Sequence, residues 1–258
     1  MFVSLWEAVI INPLYTVLIL SSLAAVYGTA LGGAAGAAVK RGDLKGIAVM
    51  LSFAGGVMLA VVCFDLIPEA MALYGSGNWS TLPSGIAAGY ICTALLSSLV
   101  CRKKGGGKKG SVLLSGFVLL FAIALHNLPE GLVIGSACAA DSRPLGRGFI
   151  MAAVLGLHNI PEGMAMSVTL CAGGMRRAAA VLLCALAGLP SVLGAVLGWQ
   201  ISLISPLFLC LSLCFSAGAM LFVVLSELLP EGSSLWPGKL QSTAAFLGLL
   251  LGLYICRL

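Results

Sequence analysis

VLLSGFVLLFAIALHNLPEGLVIGSACAA, Val112 to Ala140, and RGFIMAAVLGLHNIPEGMAMSVTLC, Arg147 to Cys171, are apolar runs that each carry one polar hexapeptide near the middle. The first hexapeptide is His126-Asn127-Leu128-Pro129-Glu130-Gly131 and the second is His158-Asn159-Ile160-Pro161-Glu162-Gly163; together they hold the only histidines of the chain. About twenty apolar residues cross a bilayer as a helix, so both runs are long enough to span. The polar residues then lie deep in the membrane. In each copy a histidine precedes a glutamate by four positions, which stacks imidazole and carboxylate on one helix face.

Composition extends the membrane reading to the whole chain. Of 258 residues, 60% are hydrophobic and 9% charged, against about a quarter charged in an ordinary soluble domain. A soluble domain with an oversized core is excluded, because so few charged side chains cannot cover its surface. The fold class is therefore all-α, a polytopic membrane protein. The net charge of +5 does not point to nucleic acid, and no such partner is expected, because the basic residues sit in short clusters between apolar runs. Such clusters are topology signals. The nine cysteines form no Cys-x-x-Cys pair, and most, such as Cys63, Cys92, Cys184 and Cys210, fall inside apolar segments. They read as reduced packing residues, not a disulfide framework. No basic region precedes the first apolar run, so a cleaved signal peptide is not expected.

Eight spans can be laid out within a single transmembrane domain over residues 1–258: about Tyr15 to Val39, Gly46 to Leu73, Ser84 to Cys101, Val112 to Ala140, Arg147 to Cys171, Ala178 to Gln200, Pro206 to Leu229 and Gln241 to Cys256. Arg102 to Gly110, rich in lysine and glycine, reads as a flexible cytoplasmic loop. The short turn from Asp141 to Gly146 makes the fourth and fifth spans antiparallel neighbours. With the N-terminus outside, the inner connectors hold Lys40, Arg41, Lys45, Arg102, Lys103, Lys104, Lys108, Lys109, Arg176, Arg177 and Lys239. Only Arg143, Arg147 and Arg257 are left outside. The bias places both termini on the outer face of the cell membrane.

Ionisable groups inside a membrane cost several kcal/mol each and mark sites or pathways. Six of the nine acids, Asp65, Glu69, Glu130, Glu162, Glu227 and Glu231, fall within spans or at their ends. Bringing the faces of spans four and five together gives two imidazoles and two carboxylates, from His126, Glu130, His158 and Glu162. That set suits a borderline divalent metal such as zinc, iron or manganese, whereas magnesium and calcium prefer oxygen alone. Pro129 and Pro161 each delete a helix donor, and Gly131 and Gly163 loosen the helix beyond, so broken helices are expected at both hexapeptides. Asn127 and Asn159 read either as secondary metal ligands or as interhelical hydrogen-bond partners. Asp65 and Glu69, in Asp-Leu-Ile-Pro-Glu, lie toward the outer face. Glu227 and Glu231, in Glu-Leu-Leu-Pro-Glu, lie toward the inner one. They read as entrance and exit acids, or as unpaired interfacial charges. The matching motifs of spans two and seven suggest an inverted repeat relating spans one to three to spans six to eight.

At these residues the chain resembles the ZIP (Zrt/Irt-like) family of divalent metal transporters, in its GufA-like branch. The likeness extends over essentially the whole chain, and the His-Asn-x-Pro-Glu-Gly motif is specific to that family. It implies a 3+2+3 helix arrangement and metal uptake into the cytoplasm. It also implies His126, Glu130, His158 and Glu162 as primary ligands, with Asn127 and Asn159 contributing to an adjacent second site. Some members of the branch carry a glutamate in span six, where this chain has Gly188-Leu189-Pro190-Ser191-Val192. A single well-formed metal position is therefore expected. The loop after span three lacks the histidines of many relatives, so no metal-sensing role is expected of it.

The expected activity is transport of zinc, or of iron, manganese or cadmium, by a protein acting alone or as a homodimer. The metal is substrate, and no resident cofactor is required. Two alternatives carry the same site. An intramembrane metalloenzyme would be expected to show a His-Glu-x-x-His motif or many more histidines, and has neither. A passive channel would lack bistable gating.

Overall fold

The computed structural model describes residues 13–40, 42–74, 80–101, 108–140, 146–200 and 206–257. The N-terminal segment read for a signal peptide, most of the Arg102 to Gly110 connector and most of the Asp141 to Gly146 turn lie outside the described residues. Among the described residues, seven helices are long and apolar enough to cross a membrane: α1 (Pro13–Ala38), α2 (Leu44–Leu73), α3 (Thr81–Leu99), α4 (Val112–Ala140), α5 (Arg147–Ala172), α6 (Arg177–Gln200) and α7 (Pro206–Leu235). The eighth, α8 (Leu240–Ile255), has 16 residues. At about 1.5 Å per residue it falls about one turn short of a 30 Å hydrocarbon core. The chain is thus an all-α polytopic membrane protein. Helical structure upstream of α4 already begins at Lys108, inside the connector expected to be a loop.

Local chemistry sets several ends. Asp43 caps α2, its Oδ1 accepting from the Gly46 N–H at 2.8 Å, which satisfies one of the donors a helix start leaves open. In α2 and α7 the helix widens into a π-helical turn, Val62–Leu66 and Val223–Leu228, just ahead of Pro68 and Pro230. There the Ile67 N–H reaches Val62 O and the Leu229 N–H reaches Val224 O, five residues back. These bulges, not Pro129 and Pro161, are the irregular backbone near the acids. Helices α4 and α5 run unbroken through their prolines, contrary to the break expected at each hexapeptide.

The helices associate in four close pairs, α1 with α5, α4 with α6, α2 with α8 and α3 with α7, and α4 packs on α5 at the centre. Lipid tails are as apolar as leucine, so close backbone approach at small residues has to supply the attraction. A Cβ on Gly32 of α1 would lie 1.9 Å from Ile160 O of α5, and one on Gly194 of α6 would lie 2.1 Å from Leu128 O of α4. The outer pairs repeat the device. Cβ atoms on Gly56 of α2 and Gly218 of α7 would meet Ala245 O of α8 and Ile86 O of α3 at 2.0 and 1.9 Å.

Exchanging α1 with α6, α2 with α7, α3 with α8 and α4 with α5 maps every one of these pairs onto another. The exchanged helices run in opposite directions. A cavity at one end gathers Leu44 and Val112 from the beginnings of α2 and α4 together with Ala172 and Leu235 from the ends of α5 and α7. The relation is an inversion, as expected from the acidic motifs, and it gives the 3+2+3 arrangement. Its central pair carries the two hexapeptides.

Candidate metal centre

Glycine explains why the two hexapeptides lie where they do. A Cβ on Gly131 would stand 1.9 Å from Ser191 O of α6, and one on Gly163 would stand 2.1 Å from Thr29 O of α1. These glycines therefore admit a neighbouring backbone instead of loosening their own helix, which corrects the role expected of them. With α4 seated on α6 and α5 on α1, the histidine-bearing faces turn toward each other.

His126, Glu130, His158 and Glu162 are all buried, none more than 1% exposed. Their pairing is crossed between helices. His126 Nε2 lies 3.0 Å from Glu162 Oε1, and His158 Nε2 lies 3.4 Å from Glu130 Oε2. One donor atom each from His126, Glu130 and Glu162 fall within 4.8 Å of one another, and His158 joins through Glu130. The other carboxylate oxygens, Glu130 Oε1 and Glu162 Oε2, have no hydrogen-bond partner among the described residues, and neither does His158 Nδ1. Unpartnered buried carboxylate oxygens are costly in a hydrocarbon interior. A divalent cation would satisfy them and balance the charge of two carboxylates beside neutral imidazoles.

The sequence left two supports unread. His126 Nδ1 contacts Ala122 O at 3.2 Å, which points Nε2 at α5; such orientation by the other ring nitrogen is usual for a metal-binding histidine. Ser216 of α7 donates its hydroxyl to His126 O at 3.3 Å. No motif marks Ser216.

Asn127 Nδ2 donates to Ala187 O of α6 at 2.8 Å, and Asn159 Nδ2 donates to Ala24 O of α1 at 3.0 Å. Both carbonyls lie where their helix is irregular, at the Gly188 turn and in the Ser22–Tyr27 π-turn. The Ser191 N–H bonds Gly188 O, three residues back, at 3.1 Å. Both asparagines are interhelical partners, related by the same inversion. Their Oδ1 atoms have no hydrogen-bond partner among the described residues.

The flanking acids are half-buried. Asp65 and Glu69 share a cavity of about 10 Å³ with Glu130, Leu66, Met151 and Leu213, room for about one water. Glu227 and Glu231 line the equivalent pocket beside Leu51, Ser115, Leu119 and Thr169. Glu231 also faces the cavity of about 100 Å³ at the end that carries the basic connectors. Glu227 is not an unpaired interfacial charge, because Ser97 of α3 donates to its Oε1 at 3.1 Å.

The sequence model of the ZIP zinc transporter family matches residues 97–256, which contain both hexapeptides. The chain belongs to the ZIP family. Similar ZIP proteins include the zinc transporter ZupT of Enterobacter sp. (strain 638), 30% identical over 241 residues that cover 90% of this chain and 92% of that one. The zinc transporter ZupT of Salmonella newport (strain SL254) is 29% identical over the same shares. ZIP membership makes the chain a divalent metal transporter and not an enzyme, which removes the metalloenzyme alternative.

Proposed function

We propose that this ZIP protein takes up zinc into the cytoplasm and that His126, Glu130, His158 and Glu162 hold the ion in transit. The observation that carries the proposal is the crossed pair of buried His–Glu contacts with two carboxylate oxygens left unpartnered. The relatives bear the name zinc transporter, and the nitrogen and oxygen donors suit zinc while also admitting iron, manganese and cadmium. The ion enters past Asp65 and Glu69 and leaves past Glu227 and Glu231. We place both termini outside on the distribution of basic residues, and the chain in the GufA-like branch on its two hexapeptides. Protons compete with metal for both imidazoles, so uptake falls as the medium is acidified.

Zinc uptake by proteoliposomes tests this. Replacing His126 or Glu162 by alanine should slow uptake by about tenfold or more, and wild-type rates in either variant would overturn the assignment. Uptake that saturates with zinc separates a transporter from an open channel.

A further inference from the structure

Glu130 faces two places at once. Its Oε2 lies 3.4 Å from His158 Nε2 in the central cluster, while its Oε1 is buried without a hydrogen-bond partner among the described residues. The same side chain lines the small outer cavity beside Asp65 and Glu69. The remaining lining is apolar: Leu66, Val133, Met151, Leu155 and Leu213. Two half-buried acids from α2 therefore share an apolar-walled space with Glu130, a side chain 99% buried that has one carboxylate oxygen unpartnered among the described residues. The equivalent inner pocket has no such connection, since neither Glu130 nor Glu162 borders it.

We infer that Asp65, Glu69 and Glu130 form a second, outer cation station with oxygen ligands only, and that Glu130 is the ligand shared between it and the central cluster. This rests on the proposed role of the central residues. Carboxylates without nitrogen favour hard divalent cations, manganese above all among those proposed as substrates. A cavity of about 10 Å³ takes roughly one water, so an arriving ion leaves most of its hydration shell here. Exchange of coordination from Glu130 Oε1 to the His–Glu cluster then passes it inward. Selection proceeds in two steps: charge and dehydration at the outer station, nitrogen affinity at the centre.

Manganese alone is the probe, titrated into the full chain in detergent and followed by the electron paramagnetic resonance signal of free Mn²⁺. The double variant His126→Ala/His158→Ala removes the nitrogen ligands and should still bind one Mn²⁺. Adding Asp65→Asn and Glu69→Gln should weaken that binding by about tenfold or more, since affinity follows the number of charged ligands. Unchanged affinity after those substitutions overturns the outer station, as does complete loss of Mn²⁺ in His126→Ala/His158→Ala. Should the quadruple variant not fold, Asp65→Asn added alone to the histidine double variant makes the same comparison. Glu69→Asp, which keeps the charge, should weaken binding less than Glu69→Gln. Zinc uptake that is indifferent to the histidine substitutions would defeat the central assignment and leave the manganese result standing.

Discussion

His126 and His158 occupy equivalent positions but are held differently. The ring of His126 is fixed at Nδ1 by Ala122 O, whereas His158 Nδ1 has no hydrogen-bond partner among the described residues. The asparagines beside them are clamped alike, and this permits a sharp test. Asn127→Ala removes one donor to Ala187 O and should cost about 1 kcal/mol, the scale of an interhelical hydrogen bond in a membrane. Asn127→Asp sets a carboxylate against that carbonyl and should be less stable than Asn127→Ala in thermal unfolding without metal. If Asn127→Asp proves as stable as wild type, the donated bond is not what the residue supplies.

At the scale of an element, the prolines and glycines of α4 and α5 exchange the roles that local rules assign them. Proline ordinarily kinks a helix interior, yet both helices are continuous because α6 and α1 grip them just beyond, at Gly131 and Gly163. Gly131→Ala and Gly163→Ala should each drive the paired helices apart, since the new methyl carbon meets a backbone carbonyl and not a movable side chain. The loss should exceed the roughly 1–3 kcal/mol of ordinary overpacking and appear as a collapsed yield of folded protein on size-exclusion chromatography. Pro129→Ala restores a donor to an already continuous helix and should leave folding intact, which circular dichroism and thermal unfolding would show. The π-turns before Pro68 and Pro230 are where backbone irregularity meets an acid, and bulges of this kind are frequent at functional sites.

At the scale of the molecule, the inversion relates two acid-lined pockets, each of about 10 Å³. Beside the Glu227–Glu231 pocket, the end that carries the basic connectors also opens a cavity of about 100 Å³. Topology can be read directly with a membrane-impermeant maleimide on intact cells, in a Cys256→Ser background. A cysteine replacing Arg257 should be labelled and one replacing Lys239 should be protected. The reverse pattern would invert the proposed direction of transport.

The class of molecule was legible in the linear sequence, and so were the four residues that the structure brings together at the centre. A bilayer imposes run length and polarity on each segment separately, and two hexapeptides repeated in adjacent runs single themselves out. The lengths of individual helices were less legible, as the 16-residue α8 shows. Which histidine meets which glutamate, where the asparagines donate and which acids share a cavity with Glu130 depend on the rotation of each helix about its axis. That rotation is set by where glycine lets one backbone approach another, so only the assembled bundle decides that the His–Glu pairs cross between α4 and α5. Proline marked both hexapeptides as places where a helix would break, and the packing of α6 and α1 against them kept both helices whole.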